Sequence, residues 1–288
     1  MSRAPEALRV VTAPNPSPLT GAGTNSFLLG RDEIAVIDPG PDLPAHRAAL
    51  LAAAKGGRIT HILVTHAHLD HSEGARALAL ATGAEVLGFG PAVAGRSALM
   101  ERLAAEGLVQ GGEGLDHDFH PDRVLRDGDT VESGEWSLTA LHTPGHSAGH
   151  LSFRAGGQVF CGDVVMGWSS TLISPPDGDL ADYFRALARL DAAGVRRLLP
   201  AHGAPVEDPA ARIAELAAHR RQRTAQILGA LRHGAADAAT LAARIYEVDP
   251  RLLPAATRNV LAHLIALSEI GAVATPGPIT ADAVFAPA

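Results

Sequence analysis

With 288 residues, 47% of them apolar, and a formal net charge of −7, the chain can form one large or two unequal domains and needs no cross-links to hold its core. Its one cysteine excludes an intramolecular disulfide and a thiolate cage for structural zinc. No stretch reaches the roughly 20 apolar residues of a membrane span, and residues 1–18 carry prolines and Glu6 where a secretory leader would be apolar, so a cytoplasmic enzyme without a membrane partner is expected.

In chain order, strands are predicted at 8–12, 26–29 and 34–37, the last running into the turn Asp38-Pro39-Gly40, where Asp38 reads as structural. A helix over 44–54 follows. The next strand, 59–65, crowds Ile62, Leu63 and Val64 and delivers Thr65-His66-Ala67-His68-Leu69-Asp70-His71 to a loop at its carboxyl end. Three imidazoles and a carboxylate in six positions read as a metal site. An irregular loop lets such side chains converge where a strand or helix period would not. Neutral imidazoles with carboxylates suit zinc, and also iron, manganese or nickel.

A helix is expected from Ser72. Between 100 and 122, Gly111-Gly112-Glu113-Gly114 and Asp116-His117-Asp118 read as a flap beside the site. After a strand at 136–141, Thr143-Pro144-Gly145-His146 presents another histidine from a Pro-Gly turn, and a strand at 151–153 follows. Val159-Phe160-Cys161-Gly162-Asp163 is an apolar strand ending in a carboxylate, with Cys161 a buried and inert thiol. Segment 166–179 must lie near the metals, and its Trp168 either contacts substrate or packs the cleft wall. A last strand at 195–200 leads into Ala201-His202-Gly203. His61, His142 and His150 are expected to support the site or fill the core, His150 being the foremost candidate to orient a ligand. His117, His120, His219, His233 and His263 read as surface.

From 208 the pattern turns helical. The helix at 209–232 carries a stripe of Ile213, Leu216, Ala217, Ile227, Leu228 and Leu231. Arg220 falls on that stripe and is expected to snorkel to water; the other reading is contact with substrate or with a carboxylate at the domain junction. Helices at 238–246 and 254–270 and a short hairpin at 271–276 make a winged-helix-like unit. Residues 211–288 carry net +2 against −9 for the rest, and helix 254–270 offers only Arg258, Asn259 and His263. That is a poor electrostatic footprint for a phosphate backbone, so nucleic acid is not favoured as a partner.

The motifs HxHxDH, TPGH, GD and a late histidine, in this order, resemble those of the metallo-beta-lactamase-fold metallohydrolase superfamily, in the branch with a C-terminal winged-helix-like domain. The resemblance implies an α+β fold, an αββα sandwich over 1–207 followed by a helical winged-helix-like domain over 208–288. It implies two divalent metal ions, zinc being expected: His66, His68 and His146 on one, Asp70, His71 and His202 on the other, and Asp163 on both. The implied chemistry is hydrolysis by a metal-activated hydroxide, with Asp70 as the catalytic residue that orients the water or moves its proton.

A small-molecule ester, thioester or lactone is the expected substrate. The alternatives are a metal-dependent endoribonuclease, by analogy with winged-helix relatives, and a mononuclear iron persulfide dioxygenase. Antibiotic hydrolysis is disfavoured because Cys161 stands two positions out of register with the metal-binding carboxylate. Nucleases with an inserted domain are excluded by the 39 residues from Asp163 to His202, and flavodiiron reductases by His68 where they carry glutamate.

Overall fold

The computed structural model describes residues 7–109 and 114–288; Gly111, Gly112 and Glu113 of the expected flap lie outside the described residues. The first half of the chain forms β1 (Leu8–Thr12), β2 (Asn25–Leu29), β3 (Glu33–Ile37), α1 (Pro44–Ala53), β4 (Arg58–Leu63), α2 (Leu69–Ser72), α3 (Gly74–Thr82), β5 (Glu85–Gly88), α4 (Ala98–Ala105) and β6 (Arg123–Val124). Next come β7 (Thr130–Glu132), β8 (Ser137–His142), β9 (Leu151–Ala155), β10 (Gln158–Gly162), α5 (Leu180–Ala192) and β11 (Arg197–Pro200). The tail holds α6 (Pro209–Leu231), α7 (Ala238–Ile245), α8 (Leu253–Glu269), β12 (Val273–Ala274) and β13 (Ala286–Pro287).

The strands make two facing sheets. One has six strands in sequence order from β1 to β6, and the other has five in the order β11-β10-β9-β8-β7. Between them Phe27, Leu29, Ile37, Leu63 and Leu87 meet Leu138, Leu151, Phe153, Phe160 and Leu199 in one core. The outer face of the first sheet is covered by α1 and α3, through Leu50, Leu78 and Ala75. The outer face of the second is covered by α5 and α6, through Tyr183, Leu187, Ile213 and Leu216. Strands β2 and β3 and the ends of β4 and β5 are buried on both faces, which explains their near-continuous apolar runs. This is the expected αββα sandwich.

Each sheet contains parallel strands, β3 to β6 in the first and β10 with β11 in the second. Their carboxyl ends open on the same edge, the place where ligands gather in such sheets. The edges are tied together there: Asn25 N donates to Ala201 O at 2.7 Å, and Leu151 N to Thr65 O at 2.8 Å.

Four expectations are corrected. Helix begins at Leu69 rather than Ser72, so Asp70 and His71 sit on the first turn of α2 and only His66 and His68 precede it. The flap region, expected from 100, starts inside the helix α4, capped by Ser97, whose Met100 and Leu103 are buried among Ile227, Leu231, Leu261 and Phe285 of the tail. The wing is not a local hairpin, because β12 pairs with β13 some eleven residues beyond it. Neither His263 nor Arg220 reaches water: they are 0% and 1% exposed. Helix α6 is covered on one side by α5 and on another by α8, so its stripe is wider than the sequence period suggested. Among the described residues no helix is long and apolar enough to cross a membrane.

Candidate metal centre

The seven expected ligands come together at the shared edge. His66 and His68 follow β4, Asp70 and His71 ride on α2, His146 lies in the turn between β8 and β9, and Asp163 and His202 follow β10 and β11. Ligand atoms fall into three overlapping groups, each within 4.8 Å: His66, His68 and His146; His66, His71 and Asp163; Asp70, His71 and His202. Asp163 stands between the two ends, Oδ2 at 3.6 Å from both His71 Nε2 and His146 Nε2, and Oδ1 at 3.4 Å from His202 Nε2.

Hydrogen bonds at Nδ1 fix which ring nitrogen is free. Thr65 Oγ1 gives its proton to Asp38 Oδ2 at 2.8 Å and so can only accept from His66 Nδ1 at 3.0 Å. His146 Nδ1 donates to Leu172 O at 2.6 Å, His71 Nδ1 to Asp38 Oδ2 at 3.1 Å, and His202 Nδ1 to Gly23 O at 3.2 Å. Each of these four imidazoles therefore turns Nε2 toward the cluster, the arrangement in which an outer partner orients a metal-ligating histidine. His66 Nε2 and His146 Nε2 lie 2.9 and 3.1 Å from His68 Nδ1. Among the described residues, buried His71 Nε2 and Asp163 Oδ1 have no hydrogen-bond partner. Orphaned, converging donor atoms of this kind, mixed N and O, fit divalent cations of the zinc type.

Electrostatics divides the cluster in two. Burial, reinforced by neighbouring imidazoles, holds His66 well below the ordinary value and His68 down to about 3. At the other end burial also opposes charge, but the carboxylates outweigh it: Asp70 and Asp163 hold His71 well above the ordinary value, and Asp163 and Asp70 push His202 up to about 10. Against burial, His71 and His202 in turn hold Asp70 and Asp163 well below the carboxylate range. A metal at either end needs the imidazoles neutral and the carboxylates ionised.

His150 behaves as expected. Its ring is fully buried, Nδ1 pairs with Thr143 Oγ1 at 3.0 Å and Nε2 accepts from Asp163 N at 3.3 Å, fixing the backbone of the central carboxylate. His61 pairs with Thr60 and edges Trp136, and His142 donates to Ala148 O. Two residues were missed. Asp38 orients His71, and Thr24 Oγ1 donates to Asp70 Oδ2 at 3.0 Å. The Asp-Pro-Gly turn at the end of a strand beside β4 was the available signal for Asp38, and none marked Thr24.

A cavity of about 160 Å³ opens on the cluster, walled by Ser17, Pro18, Leu19, Thr20, Met166 and residues 169–172. Trp168 is not among its lining residues; it is half-exposed, with Nε1 donating to His202 O at 3.3 Å and its ring against Gly203 and Gly21. Arg220 does not line the cavity. Its guanidinium lies behind the wall, donating to Thr171 O and Asn259 Oδ1.

Comparison with known proteins bears on this geometry. Residues 19–202 match the metallo-beta-lactamase superfamily, and residues 238–277 the beta-lactamase associated winged helix domain. The chain is 28% identical over 237 residues to the atrochrysone carboxyl ACP thioesterase of Aspergillus fumigatus, covering 80% of this chain and 66% of that protein. It thus spans about two thirds of the length of the fungal relatives it matches. The beta-lactamase-like protein 2 homolog of Drosophila melanogaster is 27% identical, with 89% of this chain and 86% of that one aligned. The crystal structure of a metallo-beta-lactamase family protein from Thermus thermophilus superposes with a TM-score of 0.77 over 98% of both chains at 28% identity. With the motifs, the two facing sheets and the seven converging His and Asp side chains in one frame, the chain belongs to the metallo-beta-lactamase superfamily and carries the winged helix domain associated with it.

Proposed function

We propose that the chain is a binuclear metal-dependent hydrolase of small-molecule acyl substrates, thioesters foremost and esters or lactones with them. Residues 1–207 form the catalytic unit and residues 208–288 a unit that shapes its pocket. Two divalent ions, zinc foremost, would be held by His66, His68 and His146 on one side and by Asp70, His71 and His202 on the other, with Asp163 able to serve both. The carrying observation is the convergence of free Nε2 atoms and carboxylate oxygens at the floor of a cavity whose only charged lining, among the described residues, is the ligand set itself. Such walls suit an uncharged acyl group. The thioesterase among the relatives supports the same class.

Bound there, the ions supply activation of water and polarisation of the substrate carbonyl. The protein's part is orientation and proton traffic. Asp70 is the ligand most open to the cavity, its side chain 28% exposed against 11% for Asp163 and 3% for His202. Thr24 pins one of its oxygens. Asp70 is therefore the group placed to take a proton from the attacking water and pass it outward.

The endoribonuclease reading draws on the winged helix. In this chain the three polar residues that α8 offered turn inward: Arg258 binds Ser174 Oγ and Pro175 O, Asn259 accepts from Ile173 N at 3.0 Å, and His263 pairs with Thr224. They are not available to a nucleic-acid groove, which supports the small-molecule reading.

Elemental analysis of the purified chain, with activity on a thioester, a lactone and single-stranded RNA before and after chelation, tests the proposal. Two zinc equivalents and acyl hydrolysis abolished by chelator and restored by zinc are expected. One iron per chain would move the reading to persulfide oxidation, and cleavage of RNA alone would replace the acyl substrate.

A further inference from the structure

Residues 163–179 run from the central carboxylate to α5 without regular structure, so their backbone polar groups need partners from elsewhere. The tail supplies them. Arg212 and Arg220, eight positions apart and so on one face of α6, donate to Met166 O and Ser169 O, and to Thr171 O. From α8, Asn259 Oδ1 accepts from Ile173 N and from Arg220 Nη1, both at 3.0 Å.

Arg220 and Asn259 thus grip the two residues that flank Leu172, whose carbonyl accepts from His146 Nδ1 at 2.6 Å. Thr171 Oγ1 lies 3.1 Å from the same nitrogen. Arg220 is 1% exposed, and its described partners are carbonyl oxygens and the ring of Tyr183, 5.4 Å away, with no carboxylate among them. A cation buried without an anion is costly to keep. A packing role would be filled as well by an apolar side chain on that stripe; holding two acceptors at a set spacing would not.

We infer that Arg220 and Asn259 are positioning residues through which the winged-helix unit sets the orientation of His146, and with it the affinity of the metal held by His66, His68 and His146. The inference rests on the metal assignment proposed above. Removing an outer partner of a ligating histidine typically weakens metal binding 10–100-fold.

The test is zinc titration of the metal-depleted full chain against a chromophoric chelator for wild type, Arg220→Met, Asn259→Ala, the double variant and Arg221→Met, with hydrogen exchange read over residues 171–174. Wild type is expected to take two equivalents. Arg220→Met and Asn259→Ala should each weaken one equivalent about 10–100-fold, leave the other unchanged and raise exchange at Ile173. The double variant should be no weaker than the worse single, because the two side chains act as one unit. Arg221, exposed and set over Phe184, should behave as wild type when replaced. Should Arg220→Met not fold, Asn259→Ala carries the same reading from an uncharged, half-buried position. Variants that melt earlier yet keep both affinities would overturn the inference alone and leave Arg220 a structural clamp. A wild type that takes no zinc would overturn the metal assignment together with it.

Discussion

Asp38 Oδ2 accepts His71 Nδ1 at 3.1 Å, and the same carboxylate accepts Thr65 Oγ1 at 2.8 Å and Thr65 N at 2.7 Å. Asp38 thereby joins both ends of the HxHxDH segment from the neighbouring strand. It does so from a left-handed backbone, φ +53°, which Asp and Asn tolerate better than other side chains. An Asp-Pro-Gly turn is thus part of the candidate metal centre although it contributes none of its seven candidate ligands.

Asp38→Asn keeps the shape and the tolerance of positive φ but leaves one acceptor oxygen for three donors. We expect zinc affinity to fall about 10–100-fold with the fold retained. Asp38→Ala should add backbone strain of about 1–3 kcal/mol and lower the melting temperature as well. Zinc titration beside thermal denaturation separates the two, and unchanged affinity in Asp38→Asn would remove Asp38 from the centre.

Gly162→Ala tests the hinge before Asp163. Gly162 has φ +48°, and a Cβ there would stand 2.4 Å from His150 Nε2 and 2.9 Å from Thr65 Oγ1. Both contacts are in the frame that holds ligands, so the substitution should cost about 1–3 kcal/mol by overpacking and also lower zinc occupancy. Gly83→Ala, with φ +74° and nothing within 4 Å, should cost stability alone. Equal zinc content in the two variants would contradict this account.

The convergence of the seven candidate ligands was legible because HxHxDH, TPGH and GD concentrate side chains of metal-binding type at strand ends, and apolar runs such as 62–64 announced buried parallel strands. What escaped was long-range. Arg220 finds its acceptor on Thr171, 49 positions away, and the partner is a backbone carbonyl, which has no residue type to recognise. An apolar stripe shows that α6 is covered on one face; it does not tell that α8 covers a second, burying His263 too. The wing was expected as a hairpin because turns are local signals, whereas Val273 pairs with Pro287. Ser97 with Met100 and Leu103 at helical spacing could have revealed α4.

Cys161 is fully buried, its Sγ donates to Val165 O at 3.3 Å, and burial pushes the thiol up to about 12. A thiolate is the reactive form. The native chain should therefore resist a thiol reagent and react stoichiometrically once denatured, while Cys161→Ala should keep its full zinc content. Rapid native labelling, or loss of a zinc equivalent in the variant, would place Cys161 in the site after all.

His263 gives the winged-helix unit a pH dependence of known sign. Its Nδ1 pairs with Thr224 Oγ1 at 2.9 Å, Nε2 has no partner among the described residues, and burial, with the charges of Arg220, His219 and Arg223, lowers it to about 3. Between the ordinary value of about 6.5 and about 3 the unfolded chain binds a proton that the folded chain refuses, so stability falls as pH falls through this window. One proton corresponds to about 1.4 kcal/mol per pH unit. His263→Leu removes that proton from both states. Denaturant midpoints of the zinc-loaded proteins between pH 7 and pH 4 should fall less steeply in the variant, by about that slope in free energy. Every other titrating group is common to the two proteins, so parallel curves would mean that His263 is charged, or reached by water, in the folded chain.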